Sequence, residues 1–148
     1  MQNERKYLLF LLSKQEYAYA ELKYKLKARG HLSDSQIDQL LNEFVEKGWQ
    51  SDKRYAESVI TLAINKLRGK NWIIQKLVYE KKIEKNMVTS LLESKNIDWL
   101  IQAAACYQKK YYNSPTHDLA DQQRRIQYLL RQGFDYDLAL KVIAEILK

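Results

Sequence analysis

Apolar positions along the chain recur three and four residues apart, the spacing of one face of a helix. Ile37, Leu40, Leu41, Phe44 and Val45 form one such stripe. Ser33 stands before it as an N-cap, Gln36 completes a capping box, and Gly48 suits the left-handed residue that closes a helix. A last helix capped by Asp135 turns Leu138, Ala139, Val142, Ile143, Ile146 and Leu147 inward. A shorter one starting near Asn86 carries Val88, Leu91 and Leu92.

These helices are copies of one unit. With Leu32, Ile83 and Phe134 superposed, apolar residues coincide five positions on (Ile37, Val88, Ala139), eight on (Leu40, Leu91, Val142) and nine on (Leu41, Leu92, Ile143). Upstream, Leu26, Leu77 and Leu129 each end a preceding helix, with Gly30, Lys81 and Gly133 close behind in the turn. The period is 51 or 52 residues, with one residue deleted in the third turn. Each unit also opens on a helix. In the first, Tyr7, Leu8, Leu11 and Leu12 mark it. In the second it runs from about Asp52 to Leu67, capped by Ser51, with Tyr55, Val59, Ala63 and Leu67 on one face. In the third it runs from about Trp99 to Tyr112, capped by Asp98 and stopped by Asn113, Ser114 and Pro115. The pattern predicts an all-α fold of three tandem three-helix repeats, 1–50, 51–97 and 98–148. A core of roughly 50 residues is too small to stand comfortably alone, so the units should lean on one another in an elongated, curved array of right-handed type.

Composition narrows the chemistry. Only 4 Gly and 1 Pro are present, too few turn signals for a β-sandwich or barrel. The apolar run from Tyr7 to Leu12 is too short for a signal peptide or a membrane span, which predicts a soluble cytoplasmic protein, and a monomer. Cys106, the single cysteine, sits among alanines and reads as a small buried thiol. His31 and His117 fall in loops without a second metal-ligating neighbour, and the four glycines lie singly rather than in a phosphate-binding loop. No catalytic residue, cofactor or metal site is expected, and the chain reads as a binding protein rather than an enzyme.

Charge changes the picture most. The net charge is +7, and residues 51–97 hold +5 of it, from 10 basic and 5 acidic side chains. Lys66, Arg68, Lys70, Lys76, Lys81, Lys82 and Lys85 are offset there only by Glu80 and Glu84. Such a patch suits an anionic partner, although cations closing a helix also answer its macrodipole and others can be merely solvated. Trp72, beside Lys70, either stacks on a partner or plugs a seam between helices. Among the 11 tyrosines, Tyr7, Tyr55 and Tyr107 fall on apolar faces, while Tyr17, Tyr19, Tyr24, Tyr111 and Tyr112 are candidate surface contacts. No helix shows the compact Arg, Asn and Gln cluster of a base-reading face.

The segment Gly48-Trp49-Gln50-Ser51-Asp52-Lys53-Arg54-Tyr55-Ala56 resembles the signature of the RecX family of recombination regulators. Glu21-Leu22 with Leu26, Asn96-Ile97-Asp98-Trp99 and Arg131-Gln132-Gly133-Phe134 resemble other stretches of the same family, in the same order. Two positions depart from it: Gly69-Lys70-Asn71-Trp72-Ile73 stands where the family often has Gly-x-Gly, and Ala18 replaces a capping Ser. Within the signature, Ser51 caps, Asp52 favours the positive end of its helix, Tyr55 and Ala56 face inward, and Arg54 alone is free to meet a partner or an acidic neighbour. The resemblance implies nine helices in three repeats and a bacterial regulator of DNA repair and the SOS response, without catalytic residues. It implies binding to the RecA recombinase filament on single-stranded DNA, with direct contact to the strand a further option, and restraint of filament growth, ATPase and strand exchange. The rival readings are a helical nucleic-acid-binding module or repressor, and a protein scaffold with no nucleic-acid role.

Overall fold

The computed structural model describes residues 1–147, and side chains through 145, so Ile146 and Leu147 of the predicted last stripe lie outside the described side chains. Among the described residues there are nine helices and no strand. The first three are α1 (Gln2–Lys14), α2 (Tyr19–Arg29) and α3 (Asp34–Glu46). Next come α4 (Asp52–Asn65), α5 (Lys70–Ile74, running on as a π-helical turn over Gln75–Glu80) and α6 (Lys85–Ser94). The last three are α7 (Trp99–Tyr111), α8 (Leu119–Arg131) and α9 (Tyr136–Leu147). The first residues of α3, α6 and α9 fall at the spacing that the apolar offsets predict.

The expected caps form where a side chain can supply them. The Ser33 hydroxyl accepts from the Gln36 N–H while the Gln36 amide accepts from the Ser33 N–H. Ser51 accepts from Arg54, Asp98 from Leu100 and Ile101, and Asp135 from Leu138. The helix expected near Asn86 starts earlier, at Lys85, with no side-chain cap. The single-residue difference between the second and third turns has a structural counterpart. Ile83 N–H reaches back six residues to the Leu77 carbonyl, whereas Phe134 N–H reaches back five to Leu129. The wider π turn absorbs the additional residue without moving Ile83 out of the core.

Three cores result. Leu8, Leu22, Leu26, Ile37, Leu40, Leu41 and Phe44 form the first. Ile60, Ile73, Leu77, Ile83 and Val88 centre the second, and Tyr107, Ile126, Leu129, Phe134 and Ala139 the third. These cores support repeat limits at 1–50, 51–97 and 98–148, which we propose as the units of the fold. Some predicted stripes are rotated. Ala56, Ile60 and Ala63 are the buried side of α4, with Tyr55 and Val59 flanking them. Leu67 lies beyond the helix end at a positive φ of 61° and packs into the third core instead. Val45 faces outward at 45% exposure, because the turn of α3 below it is already filled by Leu41 and Phe44.

Buried charges fasten the outer repeats, Glu4 in the first and Arg125 with Asp121 in the third. Glu4, 2% exposed, accepts from Arg29 at 2.6 and 3.2 Å and lies 3.1 Å from His31 Nδ1. The Arg29 guanidinium beside it holds its carboxyl below the usual range. Arg125, 3% exposed, does the corresponding work in the third repeat. Neither Glu4 nor Arg125 is foreseen by periodicity, since both interrupt apolar faces.

Candidate interaction surface

The joints between repeats decide which of the basic residues remain open to a partner. At the first joint Ala18 has no side chain with which to cap α2, and it is fully buried in the second core. The α2 N-terminus is satisfied from elsewhere. Glu21 reaches back to the Ala18 N–H at 3.1 Å, and Asp52 of the next repeat accepts from the Tyr19 N–H at 2.8 Å. Asp52 thus serves the positive end of α2 and not only that of its own helix. Gln50, 2% exposed, donates to Asp52 at 3.0 Å and to the Tyr17 carbonyl at 3.1 Å. Most of the Gly48-to-Ala56 signature is therefore hinge. Replacing Asp52 by alanine removes a charged cap and should cost about 1–2 kcal/mol in a urea melt, and Asp52→Asn, which keeps an acceptor, should cost less than half of that. Equal losses for the two variants would show that the Tyr19 bond contributes little.

Three of the basic residues belong to these joints. Lys81 donates to Glu21 at 2.9 Å across the first, and its side chain is only 20% exposed. Arg68 donates to the Gln132 side chain at 2.8 Å across the second, with its guanidinium 5.1 Å from the Trp72 ring centroid. Arg54 meets an acidic neighbour, Glu16, at 3.0 Å. Lys76 lies 3.4 Å from Glu80. Lys66, Lys70, Lys82 and Lys85 are exposed, and no acidic side chain among the described residues pairs with them. The nine candidates thus separate into three held by other repeats, one paired on its own helix, Trp72, and four open lysines.

Trp72 belongs to the second joint. Gly69 and Gly133, far apart in sequence, meet there: a Cβ added at Gly69 would lie 2.3 Å from the carbonyl atoms of Gly133. One added at Gly133 would lie 2.5 Å from Trp72 Cβ. The Gly69 N–H donates to the Gln132 carbonyl at 2.7 Å and the Asn71 N–H to that of Gly133 at 2.9 Å. The turn after α8 is bonded to the start of α5, and the indole lies half-buried against that contact and the second core. Of the candidate surface tyrosines, Tyr24 and Tyr112 are open, at 76% and 72%, while Tyr17 and Tyr19 pack on the first core and Tyr111 on the third.

A cluster that the sequence reading did not find lies on α8. Gln123, Arg124, Gln127 and Arg131 share one face and, with Lys110 and Tyr111 of α7, line a groove of about 530 Å³. The signal was available as the four-residue spacing of Arg and Gln, but it is masked in the sequence by Asp121 and by the buried Arg125 on the same helix. Among the described residues there is no grouping of three or more His, Cys, Asp and Glu able to hold a metal, and no helix is long and apolar enough to cross a membrane.

Residues 100–143 match the family model described as the third three-helix domain of RecX. The regulatory protein RecX of Haemophilus influenzae is 31% identical over 132 residues, covering 88% of this chain and 86% of its own length. That of Acinetobacter baylyi is 34% identical over 138 residues, covering 92% and 83%. The crystal structure of RecX from Lactobacillus salivarius superposes with a TM-score of 0.81 at 25% identity, over 98% of this chain and 95% of that one.

Proposed function

The chain belongs to the RecX family of regulatory proteins, and from that premise we propose that it binds the RecA recombinase filament on single-stranded DNA and restrains its growth, ATPase and strand exchange. The observation that carries this reading is the set of four open lysines, Lys66, Lys70, Lys82 and Lys85, in the repeat that holds most of the net charge. A recombinase wound on DNA offers phosphate and protein surface together. Cations held away from acidic partners within the chain are free to displace the counterions condensed on that phosphate.

The test is the single-strand-dependent ATPase of RecA. Substoichiometric amounts of this protein should slow it, because one molecule that blocks a filament end or groove affects many subunits. An unchanged rate at severalfold excess would remove the reading. Reversing Lys70, Lys82 and Lys85 to Glu should weaken filament binding and flatten its salt dependence by about 0.7 per lost phosphate contact. The same change at Lys14 and Lys141 should have little effect. Exposed substitutions of this kind usually cost within about 0.5 kcal/mol, so the helical circular-dichroism spectrum should be retained. Weaker binding with an unchanged slope would move these lysines from phosphate to protein contacts.

A further inference from the structure

The three second helices, α2, α5 and α8, present the same face to different neighbours. Counting back five residues from Leu26, Leu77 and Leu129 places Glu21, Trp72 and Arg124 at one equivalent position. In the first repeat this face, Ala20, Glu21, Tyr24 and Lys25, looks onto Glu80, Lys81 and Lys82, the turn that follows the second helix of the next repeat, with Lys81 bonded to Glu21. In the second repeat Trp72 lies against Gly133, in the corresponding turn of the third. In the third repeat the equivalent residues are Gln123, Arg124, Gln127 and Tyr128. Gln123, Arg124 and Gln127 are exposed, Arg124 at 70% and leaning on Asp121 at 3.5 Å, and among the described residues only the Lys110 and Tyr111 side chains of α7, and no turn, lie against this face. A face used twice within this chain to seat a polypeptide turn is open the third time.

Its charge has also changed sign. Where α2 offers Glu21 to a lysine, α8 offers Arg124 and Arg131, and α7 adds Lys110 across the groove, with no acidic residue lining it. The aromatic rings below are already covered. Arg125 sits 4.5 Å from the Tyr111 ring centroid and Lys110 sits 5.3 Å from that of Tyr128, while the two rings meet edge to face. A base would have to compete with these cations to stack on either ring, which disfavours single-stranded nucleic acid as the occupant. Arginine forks pair bidentately with carboxylates as they do with phosphates, so with stacking disfavoured it is the equivalence to two faces that seat a polypeptide turn that points to the carboxylates of a protein.

We propose that this groove between α7 and α8 seats an acidic turn on the recombinase surface, in the way that α2 and α5 seat the turns of the next repeats. This rests on the reading that the partner is the RecA filament. The test uses the full chain with a photo-crosslinking residue at Gln127, added to RecA on single-stranded DNA, alongside an Arg124→Glu/Arg131→Glu variant assayed for filament binding. The adduct should form with the recombinase polypeptide, and the double reversal should bind at least tenfold more weakly. Arg124→Lys/Arg131→Lys, which keeps charge and loses the fork, should fall between them. A crosslink to the DNA strand, or to neither partner, would overturn the proposal, as would full-strength binding by a folded double reversal. In each of those cases inhibition of the ATPase by the wild-type chain would leave the wider reading intact. If the wild-type chain has no effect on RecA at all, reading and proposal fall together. Misfolding of the double reversal would leave the crosslink, made with both arginines in place, to decide.

Discussion

Gly69→Ala should lower the stability of the protein by about 3–4 kcal/mol, a loss out of proportion to one methyl group. The backbone at Gly69 has an ordinary φ of −89°, so alanine is not disfavoured there by conformation. What it cannot do is occupy the space: its Cβ would stand 2.3 Å from the Gly133 carbonyl and 2.6 Å from the Phe134 nitrogen, main-chain atoms that cannot rotate away. Overpacking of this kind costs about 1–3 kcal/mol, and the two short main-chain bonds across the joint, about 1 kcal/mol each, are strained with it. Gly30→Ala is the control, since Gly30 has a φ of 73° but nothing within 4 Å of the added atom. It should cost only about 1 kcal/mol, the penalty of a left-handed alanine. Repeat arrays hold together through nearest-neighbour interfaces, so Gly69→Ala should also separate the transitions. In a Trp49→Phe/Trp99→Phe background, where Trp72 is the sole tryptophan and reports from the joint, fluorescence should change at lower urea than helical circular dichroism. Coincident transitions and a loss no larger than that of Gly30→Ala would mean that the joint is not tight.

Arg125→Met should cost about 3–5 kcal/mol, much of it as opening of the segment between α7 and α8. The guanidinium donates to the Tyr107 hydroxyl at 2.6 Å, to the Ser114 carbonyl at 2.8 Å, to the Pro115 carbonyl at 3.0 Å and to the Ser114 hydroxyl at 3.3 Å. It also pairs with Asp121 at 3.1 Å and lies over Tyr111. Methionine fills most of the volume and supplies none of these donors, which leaves the Tyr107 hydroxyl buried without its partner and the loop carbonyls free to turn to water. Chymotrypsin should therefore cut the variant near Tyr112 far faster than wild type. Arg125→Lys should rescue little, because a single ammonium cannot serve partners spread around a planar fork. The fastening is also acid-labile. The His117 N–H first, and then Arg125, hold the Asp121 carboxyl below its usual range. Its contribution is complete above the ordinary value of 3.8 and is lost as pH falls through the lowered one. Cleavage of wild type by an acid protease should accelerate over that interval, and an unchanged pattern would separate Asp121 from the loop.

Both variants act on contacts that join segments distant in sequence, and that division marks what could be read without coordinates. The starts of α3, α4, α7 and α9, with their Ser33, Ser51, Asp98 and Asp135 caps, and the repeated apolar offsets were legible because they are local. A cap bonds to an amide two or three residues on, and a helix face recurs every three or four. The sequence by itself thus determined an all-α chain of repeated three-helix units, and the signature at Gly48 to Ala56 pointed to its family. Only the tertiary structure decided what individual charges do. Arg68 and Lys81 have the same local setting as Lys66 and Lys82, yet two of the four join repeats and two remain open, because Gln132 and Glu21 arrive from other parts of the chain. Gly69 and Gly133 look like two isolated turn residues until the joint brings their backbones together. Arg124 and Arg125 are neighbours on one helix, but a rotation of about 100° between successive residues sends one to the groove and the other into the core. Periodicity fixes which residues share a face; what meets that face depends on packing between units, and so does the surface left for a partner.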